Sequence, residues 1–170
     1  MSLLHPTHLE NRITALSAAQ LSAWGIRALL LDVDNTLTRH HSQELPEDVK
    51  AWLDSMHGAG IRLMLVSNSK KPRLVPFAAK LGLPFISTAM KPLPFGFIRA
   101  VKALGQPKAA CMAVGDQTFT DVLGARLCGL QVTQLLPMEE ETGWSFRVRR
   151  RLERGVLKRY RKKRKARDSQ

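Results

Sequence analysis

Cysteine is scarce in this sequence. Only Cys111 and Cys128 are present, which leaves no framework of disulfide bridges and no paired spacing of the kind that holds a metal. Each stands among apolar residues, the ordinary setting of a buried thiol, and that points towards a reducing cytosol. Long hydrophobic runs are missing as well. Runs such as Ala28 to Leu31, which leads into two aspartates, fall far short of the roughly 20 apolar residues that span a bilayer. The N-terminus has no cationic start followed by an apolar run, so no secretory leader is expected. No repeat and no low-complexity stretch occurs before the C-terminal tail. What remains is a chain of 170 residues, 44% of them apolar, suited to one domain and an appendage.

Charge is unevenly spread. The formal net charge is +13, and from Arg147 to Gln170 thirteen Lys or Arg residues face only Glu153 and Asp168. That stretch carries +11, and the preceding 146 residues carry only +2. The basicity therefore belongs to a tail.

Hydrophobic patterning predicts an alternation of helices and strands. Leu9, Ile13, Leu16, Ala19 and Leu21 are spaced as on a helix over 8–23, with Gly25 as its stop. Ile26 to Val33 reads as a strand buried on both faces. A helix from about Pro46 to Gly58–Gly60 and a strand over Ile61 to Val66 follow. Further on come a helix over 72–82, a short strand over Phe85 to Ser87 and a helix over 93–104. The last elements are a strand over Ala109 to Val114, a helix over 118–128 and a strand over Leu130 to Leu135. Such alternation implies an α/β fold, a doubly wound parallel sheet covered on both sides. These sheets bind ligands beyond the carboxyl ends of their strands.

Polar residues gather at those strand ends. Asp32-Val33-Asp34-Asn35-Thr36 closes the first buried strand, and alternation turns Asp32 and Asp34 towards one pocket. Two carboxylates so close repel unless a cation neutralises them or one holds a proton. Magnesium suits them because it takes hard oxygen ligands. One carboxylate can then attack phosphorus while its neighbour moves a proton. Asp-Asn-Thr is also ordinary turn and cap chemistry. Ser67-Asn68-Ser69 ends the next strand with a hydroxyl and N–H groups for phosphoryl oxygens, although the same residues commonly open a helix. Lys91, before Pro92, can pair with phosphate or sit solvated in a loop. Gly115-Asp116 offers a further metal oxygen, and Asp121, one helical turn on, can orient a metal-bound water or the lysine. Either aspartate also fits as a helix cap.

Taken in order, Asp32-x-Asp34-x-Thr36, Ser67, Lys91 and Gly115-Asp116-x-x-x-x-Asp121 resemble the four motifs of the haloacid dehalogenase (HAD) superfamily phosphatases. The resemblance covers roughly residues 1–137 and implies a three-layer HAD-like domain there, with 138–170 as a basic amphipathic helix and tail. It implies Asp32 as nucleophile and Asp34 as general acid and then base, supported by Thr36 and Asp121. Ser67, Asn68 and Lys91 would hold the phosphoryl group. Mg2+ would sit on Asp32, the main-chain carbonyl of Asp34, and Asp116. Gly25-Ile26-Arg27, Asp-Val-Asp-Asn-Thr-Leu, Val-Ser-Asn-Ser and the run from Gly115 to Gly124 are similar to the YqeG-like branch of subclass III. That branch resembles mitochondrial and plastid phosphatases that convert phosphatidylglycerophosphate to phosphatidylglycerol.

Spacing adds an independent point. Between Asp34 and Ser67 there is room for one helix and one strand, and between Ser67 and Lys91 for little more, so no cap domain is expected. An open site suits phosphate carried on something large, such as a lipid headgroup, a protein or a nucleic-acid end. In the tail, Trp144, Val148, Leu152, Val156 and Tyr160 recur at steps of four among Arg and Lys. This stripe drifts, because each step passes a full turn by about 40°. Three readings stay open for 144–167: an anionic membrane surface, RNA or the ribosome, and a helix packed on the domain with a solvated end. The expected location is cytoplasmic, with the first reading placing the chain on the inner face of the membrane. His40 and His41 are taken as solvated loop residues.

Overall fold

The structure is a computed structural model and describes residues 2–40, 42–138 and 144–168, with backbone alone for 144–150, 163 and 166–168. Strands β1 (His8–Glu10), β2 (Ala28–Leu31), β3 (Arg62–Val66), β4 (Phe85–Ile86), β5 (Cys111–Gly115) and β6 (Gln131–Leu135) form one sheet. Their order is β1-β6-β5-β2-β3-β4, and every pairing is parallel. From β2 the chain winds outwards to β4, then returns to β5 on the other side of β2. The reversal of direction between β2 and β5 opens a crevice at their carboxyl ends, where this class of sheet binds ligands.

Alternation along each strand divides the core into two layers. Leu29, Leu31, Leu63, Leu65, Met112 and Val114 face one side, covered by α1 (Ala18–Ala23), α2 (Glu47–Gly58) and α3 (Lys71–Leu81). Ala28, Leu30, Met64, Val66, Cys111 and Ala113 face the other, covered by α4 (Phe95–Leu104) and α5 (Leu123–Leu127). Cys111 and Cys128 are free and buried, and burial pushes both thiols up. Together these layers make the expected α/β sandwich of helices on a parallel sheet.

The helix expected over 8–23 is not one helix. Residues 8–10 pair with β6, with His8 opposite Thr133, and only 18–23 are α-helical. Ser17 starts that helix through a capping box with Gln20. Leu9, Ile13 and Leu16 match a helical period because a strand, a tight turn and a cap each contribute one apolar residue, and sheet pairing outweighs the local pattern. The helix expected over 118–128 likewise opens with a wider, π-type turn over Thr118–Val122 before α5.

Beyond β6, α6 (Trp144–Asp168) is one helix of 25 residues. Its seam with the domain is Glu153, Val156, Leu157 and Tyr160, all buried or half-buried. Leu152, by contrast, is 58% exposed. The stripe read at steps of four is therefore corrected to steps of three and four, which hold one face of a 3.6-residue turn. The Trp144 and Val148 side chains lie outside the described residues. The Tyr160 hydroxyl donates to the Thr7 carbonyl at 3.2 Å, and its ring meets His5 edge-on at 5.7 Å. Among the described residues no helix is long and apolar enough to cross a membrane.

Candidate active site

The turn after β2 sets the first two aspartates. Asp32 extends the pairing with β5 through its N–H to Val114 O at 2.9 Å. The chain then folds back, with the N–H groups of Leu37 and Thr38 donating to Val33 O and that of Asn35 to Thr38 O. Asn35 takes φ +58°, a left-handed conformation that Asn tolerates better than most side chains. Asp32 and Asp34 both line a cleft of about 520 Å³ together with Ser67, Asn68, Lys91, Gln117, Phe119 and Asp121.

Lys91 occupies the centre of this cleft. Its side chain is 3% exposed, and its ammonium donates to Asp32 Oδ1 and Asp121 Oδ1, each at 2.6 Å. The loop holds it there in two ways. Asn68 clamps its main chain, donating through Nδ2 to Lys91 O at 3.0 Å and accepting from Lys91 N–H at 2.8 Å. Met90 takes φ +58°, which turns Met90 outwards while Lys91 points in. Burial opposes the charge on Lys91, but Asp121 and Asp32 outweigh it and raise its pKa above the ordinary lysine value. Burial also drives Asp32 up from 3.8 to about 7, with Asp121 and Asp34 adding to the rise and Lys91 opposing it.

Asp116 follows β5 and is fully buried, its carbonyl accepting from Gln134 Nε2 at 3.2 Å. Gly115 is required beside it: a Cβ there would lie 2.6 Å from Asp121 Cβ and Oδ2. Asp32, Asp116 and Asp121 each offer a carboxylate oxygen within 4.8 Å of the others. Three hard anionic oxygens so close fit a magnesium ion. Asp121, however, spends one oxygen on Lys91 and the other on the N–H of Gln117 at 3.2 Å, which suits an orienting group better than a direct ligand.

Two expected residues make contacts that their motifs did not suggest. The Asn68 amide is committed to the main chain of Lys91 on both its atoms. Asp34 is gripped by Arg73, whose guanidinium donates to Oδ2 at 2.6 Å and Oδ1 at 2.5 Å and also reaches Ser69 Oγ at 2.7 Å. Asp34 in turn raises the pKa of Arg73. Ser67 is buried at the end of β3, its hydroxyl accepting from Ser69 N–H at 3.1 Å. Thr36 is buried beneath the loop, and its hydroxyl has no hydrogen-bond partner among the described residues.

Three residues of this neighbourhood escaped the sequence reading. Arg73 stands in the first turn of α3, four residues after Ser69, which lies just ahead of that helix and accepts from the Arg73 guanidinium. His40, expected as a solvated loop residue, lines the cleft instead, with Nδ1 3.9 Å from Asp34 Oδ1; His41 lies outside the described residues. Glu153 is the third. This acid in the basic α6 is 2% exposed and accepts the N–H of Thr118 at 2.8 Å, at the head of the turn that carries Asp121. Its one signal in sequence is a lone carboxylate inside a cationic run.

Comparison with known proteins agrees with this geometry. A family model described as haloacid dehalogenase-like hydrolase matches residues 41–129, and one described as mitochondrial PGP phosphatase matches 2–72. The chain belongs to the haloacid dehalogenase-like hydrolases, and within that family it is a phosphatase. It is 31% identical over 152 residues to "Probable phosphatase YqeG" of Bacillus subtilis, covering 89% of this chain and 88% of the relative. Two solved structures share the fold. The cobalt-bound deoxy-D-mannose-octulosonate 8-phosphate phosphatase of Haemophilus influenzae has TM-score 0.55 and 19% identity over 64% of this chain and 68% of its own. A putative subfamily III A hydrolase of Legionella pneumophila has TM-score 0.51 and 19% identity, over 66% and 64%.

Proposed function

We propose that this phosphatase is magnesium-dependent, works through an aspartyl-phosphate on Asp32 and takes phosphatidylglycerophosphate as its substrate. The observation that carries the chemistry is the Asp32–Lys91–Asp121 bridge, in which one buried ammonium holds a carboxylate at the floor of an open cleft. Asp32, the carbonyl of Asp34 and Asp116 would hold the metal. When bound, magnesium supplies positive charge against the oxygens of the transferring phosphoryl group.

In the first step an Asp32 oxygen bonds to phosphorus as the bond to the ester oxygen breaks, and Asp34 gives that oxygen its proton. Water then attacks phosphorus, Asp34 takes a proton from it, and the bond to Asp32 breaks to release inorganic phosphate. An arriving phosphate competes with Asp34 for the Arg73 fork, because a phosphate matches that geometry and carries more charge. That competition frees Asp34 to carry a proton. Ser67 and Lys91 hold the phosphoryl oxygens, and Asn68 contributes by holding Lys91.

Two observations support the lipid. The match to the mitochondrial PGP phosphatase model spans Asp32 and Asp34. Between Asp34 and Lys91 the described chain builds only α2, β3, α3 and β4, with no lid over the cleft. Phosphate release from a panel of phospholipid, nucleotide, sugar-phosphate and phosphopeptide substrates tests both parts. Asp32→Asn should cut turnover by about a thousandfold or more. Magnesium-dependent release that survives this change refutes the nucleophile, and preference for a soluble sugar phosphate refutes the lipid.

A further inference from the structure

The edge of the sheet at β4 is built unlike the rest of the surface. From Ser55 to Gly115 the sequence contains nine Lys or Arg residues and no Asp or Glu. Within this stretch β3, α3, β4 and α4 make one flank of the molecule beside the cleft. Of the eight exposed large apolar residues described, four fall within nine positions of this flank: Met90, Leu93, Phe95 and Ile98, each about half exposed. Phe95, Ile98, Arg99 and Lys102 are spaced three and four apart on α4, so apolar and cationic groups share one exposed helix face. Lys70 and Lys71 open α3 on the neighbouring loop, which accepts the N–H of Thr88 at Ser69 O, 3.0 Å away.

This surface continues directly into the site. Met90 is thrown outwards by the same backbone turn that sends Lys91 in to Asp32, and Pro92, two residues on, lines the cleft. The basic end of α6 lies elsewhere. Glu153 contacts the loop after β5 and Tyr160 contacts Thr7 ahead of β1, so the helix crosses to the β1 edge and its last turns lead away from the cleft.

We infer that the β4 flank is the docking surface for an anionic lipid bilayer. Met90, Leu93, Phe95 and Ile98 enter the headgroup region while Lys70, Lys71, Arg99 and Lys102 meet lipid phosphates, presenting the open cleft to a phosphomonoester in that surface. Apolar side chains ringed by cations without an acid are the composition that holds a protein in a membrane interface. A second copy of the chain is a poor occupant, since pairing this flank with itself brings like charges together. RNA is another, because it would engage the cations and leave Leu93 and Ile98 without a partner. The inference rests on the lipid reading for its substrate but not for the binding itself.

The test is cosedimentation of the full chain with vesicles free of phosphomonoester, either phosphatidylcholine alone or with added phosphatidylglycerol, at physiological ionic strength. Binding should require phosphatidylglycerol. The double variant Phe95→Ser/Ile98→Ser should lose about tenfold or more in partition, and Arg99→Glu/Lys102→Glu should lose at least as much. Neutralising Arg161, Lys162, Arg164 and Lys165 with Gln should cost less than about threefold. All three variants should hydrolyse p-nitrophenyl phosphate like the parent, which reports an intact fold and cleft. The docking surface is wrong if both flank variants bind as the parent does, if the tail variant alone abolishes binding, or if the flank variants turn a dimer into a monomer on size exclusion. Binding that follows these expectations without hydrolysis of phosphatidylglycerophosphate would support the surface and refute the substrate.

Discussion

The cleft and α6 both concentrate charge, but they hold it in opposite ways. In the cleft the ionic groups are held in pairs and bridges: Lys91 is shared by Asp32 and Asp121, and Asp34 is held by the Arg73 fork. Along α6 the cations with described side chains are exposed, and Glu153 and Tyr160 tie the helix to the domain, with Val156 and Leu157 between them. Desolvation accounts for the difference. A buried charge without a partner costs several kcal/mol, roughly, whereas a solvated one costs almost nothing. Charge in the cleft is therefore structural as well as chemical, whereas exposed α6 cations such as Arg161 and Lys162 are cheaper to change.

Breaking the cleft network should have the largest effect. Lys91→Met leaves Asp32 and Asp121 facing each other without a cation, and should lower unfolding stability by about 3–5 kcal/mol in urea titrations. The loss should be smaller in mild acid, where a carboxyl takes up a proton.

The same contrast can be sharpened by pH. Burial pushes the folded-state pKa of Asp32 to about 7 from 3.8, so the folded protein holds that proton more tightly than the unfolded chain. The resulting stability is complete below about pH 4 and is lost as pH rises through about 7. Metal charge on the ionised site should restore it. Millimolar magnesium should therefore raise the thermal midpoint more at about pH 8 than at about pH 5, as scanning calorimetry will show. An equal rise at both would mean that the aspartates are not the binding groups.

The smallest effects belong to α6, and they should divide by burial. Glu153→Ala strips the acceptor from a buried N–H and should cost about 1–2 kcal/mol, with several-fold weaker magnesium binding, because the turn carrying Asp121 loosens. Glu153→Gln should recover most of the stability. Neutralising the exposed Arg161 and Lys162 with Gln should stay within about 0.5 kcal/mol by the same denaturant assay.

Much of the site was readable in one dimension because its parts are short and local. Asp32 and Asp34 sit two residues apart on a strand end, and Gly115 and Asp116 follow another apolar run, so alternation and chain order alone brought them to one end of a sheet. The residues that escaped lack such a signal. Arg73 matters because α3 leans it across the cleft onto Asp34, and His40 because its loop folds back beside the same carboxylate. Glu153 reaches Thr118 from 35 residues away in sequence. Helical spacing over 8–23 misled for a related reason, since only the sheet shows that His8–Glu10 adds an edge strand.

By itself the sequence determined the alternating architecture, the absence of room for a cap and the identity of the charged groups at the strand ends. These follow from period, length and composition, which are properties of neighbouring residues. Only the tertiary structure decided which groups pair. It set Lys91 between two aspartates, closed Arg73 on Asp34, turned α6 by Glu153 rather than Leu152 towards the domain, and left apolar residues and cations exposed together beside the cleft. Pairing and exposure depend on which distant surfaces remove water from one another, and that is settled only when the chain is packed.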